Sequence, residues 1–203
     1  MKTIKTIFLI TLVSLLMTSC TSNDVELEPV IAKQAINIHA PVITDHSVQP
    51  SVESGDFTKF NFATGTIVTD NNWDVAFRGT TILVNGGVKI GLSDEPTRTG
   101  NGALSLLTGT FSEILIAPND SDFKQDQAGT LALPKSTWYS YNGLTHKISP
   151  IAGKILVIKT SNGHYAKMEI TNYYKDGNFS LANQRYYTFS YVYNPNIGDK
   201  NLK

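Results

Sequence analysis

Apolar and polar residues alternate with a period of two along much of this chain. The clearest case is Trp73–Arg78, where the alternation predicts a strand with Trp73, Val75 and Phe77 on one face. Three further apolar runs have strand length, at residues 80–84, 103–107 and 111–117. No window of helical length carries apolar residues at spacings of three and four behind an N-cap residue. The pattern therefore predicts an all-β chain with little helix.

The strongest local signal is an Asn-Gly pair between two apolar runs, residues 154–160 and 165–170. Asn162-Gly163 fits a two-residue type I′ loop, in which both central residues need positive φ. Such a loop predicts a hairpin in which Val157 lies opposite Met168. Met168 shares its face with other apolar residues of the strand, so we expect it to pack in the core.

A stripe of aromatic residues marks the last predicted strand, over residues 185–193. Tyr187, Phe189, Tyr191 and Tyr193 fall on one face, which predicts packing in the core or between sheets. Nine Tyr, nine Phe and fifteen Gly among 203 residues suit pleated surfaces and their turns. We therefore expect a single domain rich in antiparallel β-sheet.

The N-terminus has the features of an export signal. Lys2 and Lys5 precede an apolar stretch that is too short to span a membrane, and small residues lead to Cys20, the one cysteine. This pattern is typical of bacterial lipoproteins and predicts lipidation of Cys20; the alternative is a secreted protein with a free thiol. Loss of residues 1–19 leaves fifteen basic and seventeen acidic residues, a net charge of −2 that does not indicate a nucleic-acid partner.

The predicted organisation has four parts: a signal peptide (1–19), a lipidated tether and N-terminal extension (20–55), a β domain (56–195) and a C-terminal tail (196–203). Prolines in the extension indicate a linker or an edge strand. The polar and acidic residues 21–28 resemble the segment after the cysteine in Bacteroidetes-type lipoproteins destined for the cell surface; the alternative is a solvated tether. We expect a lipid-anchored outer-membrane protein on the cell surface, with the periplasmic face as the alternative.

Three segments together resemble the HmuY family of haem-binding outer-membrane lipoproteins of Bacteroidetes-type bacteria. They are Asn72–Ala76, Tyr165–Tyr173 and Tyr187–Tyr193, and the resemblance spans about residues 57–194. It implies an all-β fold and a non-catalytic protein that binds haem and passes it to a TonB-dependent outer-membrane receptor. In agreement, the sequence has no motif that unites a nucleophile, a base and an orienting group.

The resemblance also implies a haem held between two loops, with two side chains ligating the iron. One ligand position falls in the loop after Trp138, where the placement of a gap selects either Asn142 or His146, and Asn is not a haem ligand. The segment 123–136, where the second ligand is implied, contains no His, Met, Cys or Tyr. His146, which has aromatic neighbours and a loop position, is the candidate iron ligand; the alternative is a surface histidine beside Lys147.

Tyr139 and Tyr141 are the further candidate haem-binding residues, because a phenolate also ligates haem iron. The alternative is that these alternating aromatics form one side of a sheet. With Trp138 they instead suit a stacking platform for a glycan or a peptide, and a structural or adhesive component is a further alternative.

Three other histidines are weaker candidates. His164 flanks the Asn-Gly turn, where a polar residue is expected for local reasons. His39 and His46 lie in the N-terminal extension, and they reach a site only if that segment folds over the core.

Overall fold

The computed structural model describes residues 26–203. Thirteen strands and three short 3-10 helices make up this part of the chain, which confirms the all-β prediction. In chain order the strands are β1 (Ile31–His39), β2 (Ile43–Asp45), β3 (Val52–Ser54), β4 (Thr58–Asn61), β5 (Thr66–Val68), β6 (Val75–Arg78), β7 (Thr81–Val84), β8 (Ala103–Thr108), β9 (Tyr139–Asn142), β10 (Lys147–Pro150), β11 (Lys154–Lys159), β12 (Tyr165–Tyr174) and β13 (Gln184–Asn194). The 3-10 helices are Asp120–Asp122, Lys175–Gly177 and Leu181–Asn183.

Two antiparallel sheets form the body of the fold. The larger has the order β1-β13-β12-β11-β8 and the smaller the order β5-β4-β6-β7. Two separate hairpins, β2–β3 and β9–β10, stand outside these sheets. Because sequential strands pair in all four groups, turns connect most neighbours directly.

Aromatic side chains from the two sheets meet to form the main core. Phe77 packs 4.7 Å from Tyr187, and Phe60 packs 5.2 Å from Phe189, measured between ring centroids. The Tyr187 hydroxyl donates to the Gly79 carbonyl oxygen at 2.8 Å, so this buried phenol keeps a partner. The predicted aromatic stripe of β13 therefore lies in the core, as expected.

The hairpin of β11 and β12 has a different register from the prediction. Leu156, not Val157, lies opposite Met168, because the loop has three residues, 161–163. The Gly163 amide donates to the Thr160 carbonyl at 3.1 Å, and Gly163 takes the left-handed conformation of a bulged turn. Met168 is fully buried in the main core, as expected.

Two other strand predictions are wrong in detail. Trp73 lies outside β6, before a bend at Asp74, and it packs with Ala76 and Leu83 on the opposite side from Val75 and Phe77. Residues 111–117 form a loop, not a strand. This loop covers the outer face of the large sheet, and the Lys167 ammonium holds it by donating to two of its carbonyl oxygens at 2.7 Å.

Segments predicted to be extension and tail also belong to the folded unit. Strand β1 pairs with β13 along the edge of the large sheet, from Ile31 opposite Tyr193 to His39 opposite Tyr186. At the other end of the chain Leu202 is fully buried against the same sheet. The folded unit thus extends beyond residues 56–195 in both directions. Cys20 and the predicted signal peptide lie outside the described residues.

Candidate functional site

The β9–β10 hairpin carries the candidate ligand His146 at its tip. Tyr141 lies opposite Ile148, and four residues connect the two strands. The Asn142 side-chain oxygen accepts hydrogen bonds from the Leu144 amide at 2.9 Å and the Thr145 amide at 3.1 Å. These two hydrogen bonds within the turn favour Asn at its first position. Asn142 therefore has a structural role.

His146 and Tyr141 form a hydrogen-bonded pair on the surface of this hairpin. The Tyr141 hydroxyl lies 2.6 Å from His146 Nδ1, which leaves Nε2 of the exposed imidazole free of that bond. Metal-ligating histidines commonly have one ring nitrogen fixed in this way by a neighbouring group. The Tyr141 hydroxyl therefore fixes an exposed imidazole through one of its two ring nitrogens.

A groove runs between the two free-standing hairpins. Its walls are Val42, Thr44 and Glu53 from the β2–β3 side, and Tyr139, Tyr141 and Ile148 from the β9–β10 side. The cavity volume is ≈ 330 Å³, near the lower end of the range of about 300–1,000 Å³ for small-molecule pockets. The structure thus combines two of the predicted residues, Tyr139 and Tyr141, in one groove.

The floor of this groove supplies one cation and several neutral groups. Arg185 lies there and donates from Nη1 to the Val42 carbonyl oxygen at 3.2 Å, which ties the floor to the β2–β3 wall. Tyr173 lies beside it, and burial raises the pKa of its phenol well above the usual value, so the side chain stays neutral. The Tyr139 hydroxyl contacts Ser136 Oγ at 3.2 Å and Thr80 Oγ1 at 3.4 Å.

Three residues in or beside this groove have left-handed backbone conformations. Among the described residues other than glycine, six have positive φ. Two of them, Ser136 (φ 65°) and Arg185 (φ 73°), line the groove, and His146 (φ 55°) lies at the tip of its wall. Such conformations are uncommon outside glycine and cluster at functional sites.

Two larger depressions have a different chemistry. One of ≈ 600 Å³ is lined mainly by charged and amide side chains, including Lys124, Gln125 and Lys159. Another of ≈ 740 Å³ contains Lys59, Asp94 and other polar groups. The second depression includes His39 and Phe57 beside its polar groups, whereas three tyrosines, Val42 and Ile148 line the groove between the hairpins, which is therefore the better candidate for a largely apolar ligand.

The predicted aromatic platform for a glycan or peptide is not present as such. Trp138 is 2% exposed and Tyr139 is 9% exposed, whereas Tyr141 is 57% exposed. Trp138 packs against Tyr187 in the core, and its indole N–H donates to the Thr80 carbonyl oxygen. Burial of two of the three rings removes the flat stacking surface that this alternative requires.

The other histidines lie at separate places. His39 stacks on Tyr186 at 4.3 Å and lines the ≈ 740 Å³ depression. Burial, Arg185 and Lys175 lower its pKa. His164 follows the β11–β12 turn and packs near Tyr193. Within residues 26–203 there is no cluster of three or more His, Cys, Asp or Glu side chains suited to a metal ion.

The Asn-Trp-Asp segment has a structural role. Asp74 is buried and joins the two sheets: Oδ2 accepts from the Phe62 amide at 2.9 Å, and Oδ1 accepts from the Ser161 amide at 3.2 Å. Burial raises the pKa of this carboxyl above its usual value, against the effect of these hydrogen bonds. The segment therefore links the two sheets and lies outside the groove.

The sequence analysis missed Arg185 and the β2–β3 wall. Arg185 comes directly before the aromatic stripe, where only its left-handed backbone distinguishes it from other surface cations. The β2 and β3 strands have three residues each and lie among prolines, so their apolar pattern is too short to predict a strand.

The chain is thus an all-β protein of two packed sheets, with a candidate binding groove between two hairpins. The family model described as HmuY protein matches residues 53–191, and the chain therefore belongs to the HmuY family. No curated protein matches the chain.

Solved structures with low sequence identity resemble this fold. The apo HmuY analog of Tannerella forsythia, TFO, is 15% identical, with a TM-score of 0.50 over 84% of this chain and 100% of that chain. A protein of Bacteroides vulgatus described as HmuY-like and heme-binding is 16% identical, with a TM-score of 0.44 over 70% of this chain and 86% of that chain. No helix within residues 26–203 is long and apolar enough to cross a membrane.

Proposed function

We propose that this protein is a non-catalytic surface lipoprotein that binds haem in the groove between its two hairpins and delivers it to an outer-membrane receptor. The observation that carries the proposal is the His146–Tyr141 pair at the groove, in a member of the HmuY family. An imidazole nitrogen is the commonest protein ligand of haem iron, and the Tyr141 hydroxyl fixes the ring that offers it.

The groove fits the other parts of a haem as well. Val42, Ile148 and the ring of Tyr141 offer apolar contact to a porphyrin, whereas Tyr139 is buried and contributes little surface. The Arg185 guanidinium on the floor suits a propionate carboxylate, because its planar donors match that group. The role of this chain is therefore to bind and orient the group, and no step of catalysis is required.

A hemin titration of the full-length protein in detergent tests haem binding. We expect a shifted Soret band that saturates at one hemin per chain. His146→Ala should weaken binding by more than the roughly 10–100-fold that loss of a supporting partner costs. His164→Ala is the matched control, since that residue lies on a different hairpin. A spectrum unchanged at micromolar hemin would remove the proposal.

The anchor and the receptor are tested separately. Metabolic labelling with a radioactive fatty acid should mark the wild-type protein and leave Cys20→Ala unlabelled. Protease treatment of intact cells should then digest the wild-type protein if it faces outward, whereas survival would place it on the periplasmic side. If the protein delivers haem, the hemin-loaded protein should transfer haem to a purified TonB-dependent receptor faster than it releases haem into buffer alone.

A further inference from the structure

The C-terminal end of β13 joins the first described residues to the last ones. The fully buried Asn194 side chain accepts from the Asn196 amide at 2.8 Å and donates to the Asn201 carbonyl oxygen at 2.9 Å. Asn196 is in turn paired with Glu28: its Oδ1 accepts from the Glu28 amide at 2.9 Å, and its Nδ2 donates to the Glu28 carbonyl oxygen at 2.7 Å. Both chain segments are therefore fixed at the same end of the large sheet.

Three large apolar side chains at this end are each more than half exposed: Leu27, Ile116 and Ile197. Leu27 and Ile197 are the chain neighbours of the Glu28–Asn196 pair, and Ile116 lies opposite Asn201 in an antiparallel bridge. Next to Ile197, the Gly198 amide donates to the Gly163 carbonyl oxygen of the β11–β12 turn at 3.0 Å. The three side chains form the tether-end patch, and the backbone that carries them is held by the fold.

The predicted lipid anchor is close to this patch and far from the groove. Six residue steps lead from Cys20 to Glu26, where the described part of the chain begins, and six extended residues span at most about 22 Å. Arg185 in the groove floor is nine residue steps from Asn194 along β13, which is about 30 Å in a strand. The chain to the anchor is thus too short for the groove end to rest on the membrane.

The charges around the patch have both signs. They are Lys200, Lys203, Glu26, Glu28 and Asp199. The Lys200 ammonium is in addition paired with Asp120 at 2.9 Å. A contact of this end with a lipid surface would therefore depend on apolar burial, which salt does not screen, more than on attraction between charges.

We propose that the tether-end patch rests on the phospholipid surface of the membrane and turns the groove away from it. This contact rests on the lipid anchor of the proposed function, and it adds a binding surface and an orientation. Apolar residues of interfacial segments lie about 5–10 Å within the boundary of headgroups and acyl chains, and the three side chains of the patch suit this depth. The groove would then open toward the medium from which its ligand comes.

Fluorescence quenching of the lipidated full-length protein tests this contact. The vesicles contain phosphatidylethanolamine, phosphatidylglycerol and a phosphatidylcholine with a spin label near the headgroup. Because acylation blocks Cys20, Ile197→Cys and Leu144→Cys each supply one free thiol for a fluorophore. Leu144 is the matched control, since it is exposed in the turn of the β9–β10 hairpin beside the groove. The fluorophore at position 197 should lose most of its emission and the one at 144 should keep it. Equal quenching at both positions, or none at 197, would overturn the proposal.

A second set of variants tests the apolar character of the contact. With the fluorophore at position 197, the double substitution Leu27→Ser and Ile116→Ser should reduce quenching. The control pair Ile67→Ser and Val88→Ser should not, because both residues are exposed but lie elsewhere on the small sheet or its loop. Quenching should persist in high salt. Unchanged quenching in the first pair, or its loss in salt, would contradict an apolar contact.

Failure of the anchor and failure of the patch are distinguishable. Flotation of the wild-type protein with vesicles reports on the anchor alone. If the wild type does not float with the vesicles, the anchor and the contact fail together. If it floats while position 197 stays unquenched, only the contact is overturned.

Discussion

Removal of a single hydroxyl, in Tyr141→Phe, tests whether the His146–Tyr141 pair orients an iron ligand. The substitution keeps the ring that lines the groove and deletes only the group 2.6 Å from His146 Nδ1. The imidazole then rotates freely and loses the partner that fixes it, although the ligating nitrogen remains. The change therefore separates orientation of the ligand from its presence.

The size of the effect follows from the role of such partners. Loss of a group that supports a ligating histidine typically lowers metal affinity 10–100-fold, which is about 1.4–2.8 kcal/mol of binding free energy. The cost to folding should be far smaller. Tyr141 is 57% exposed, and substitutions at exposed positions usually change the free energy of unfolding by less than about 0.5 kcal/mol.

The assay is a hemin titration of Tyr141→Phe beside a thermal melt of the apo protein. Tyr186→Phe is the matched control, because Tyr186 also contacts a histidine, His39, but outside the groove. We expect a 10–100-fold loss of affinity for Tyr141→Phe alone, with both melting temperatures near that of the wild type. Equal hemin affinity of Tyr141→Phe and the wild type would refute the orienting role of Tyr141.

Two further predictions concern the groove floor and the link between the sheets. Arg185→Gln should weaken hemin binding roughly two- to fivefold, the range for partly screened ion pairs, and should leave binding of hemin dimethyl ester unchanged; equal losses for both ligands would exclude a propionate contact. Asp74→Ala should destabilise the protein most at low pH. Because burial raises the folded-state pKa of Asp74, its contribution is present below the usual carboxyl pKa and is lost as the pH rises through the folded value. Urea unfolding of both proteins across this pH range measures the difference, and a difference that grows with pH would contradict this assignment.

Period-two patterns in the sequence predict the strands of the core well. The stripe from Tyr187 to Tyr193 and the burial of Met168 follow directly from alternation, because one face of each strand must leave water. The side on which Trp73 packs does not follow, because Trp73 precedes β6 across a bend at Asp74 and alternation holds only within an extended strand.

The site itself depends on features that are not local. Asn162-Gly163 suits both a two-residue loop and the observed three-residue loop with Gly163 left-handed. The pair therefore does not determine which residues of β11 and β12 lie opposite each other. Alternation places Tyr139 and Tyr141 on the same face of β9, but it does not say that Tyr139 is buried while Tyr141 is exposed. The groove exists because β2–β3 lies opposite β9–β10, a tertiary arrangement that neither short segment specifies alone.

A hemin titration of the full-length wild-type protein, followed in the Soret region, tests the central claim most directly. The account predicts a shifted, low-spin spectrum that saturates at one hemin per chain and is lost in His146→Ala. Spectra that equal free hemin in the same detergent, or binding that is independent of His146, would contradict it.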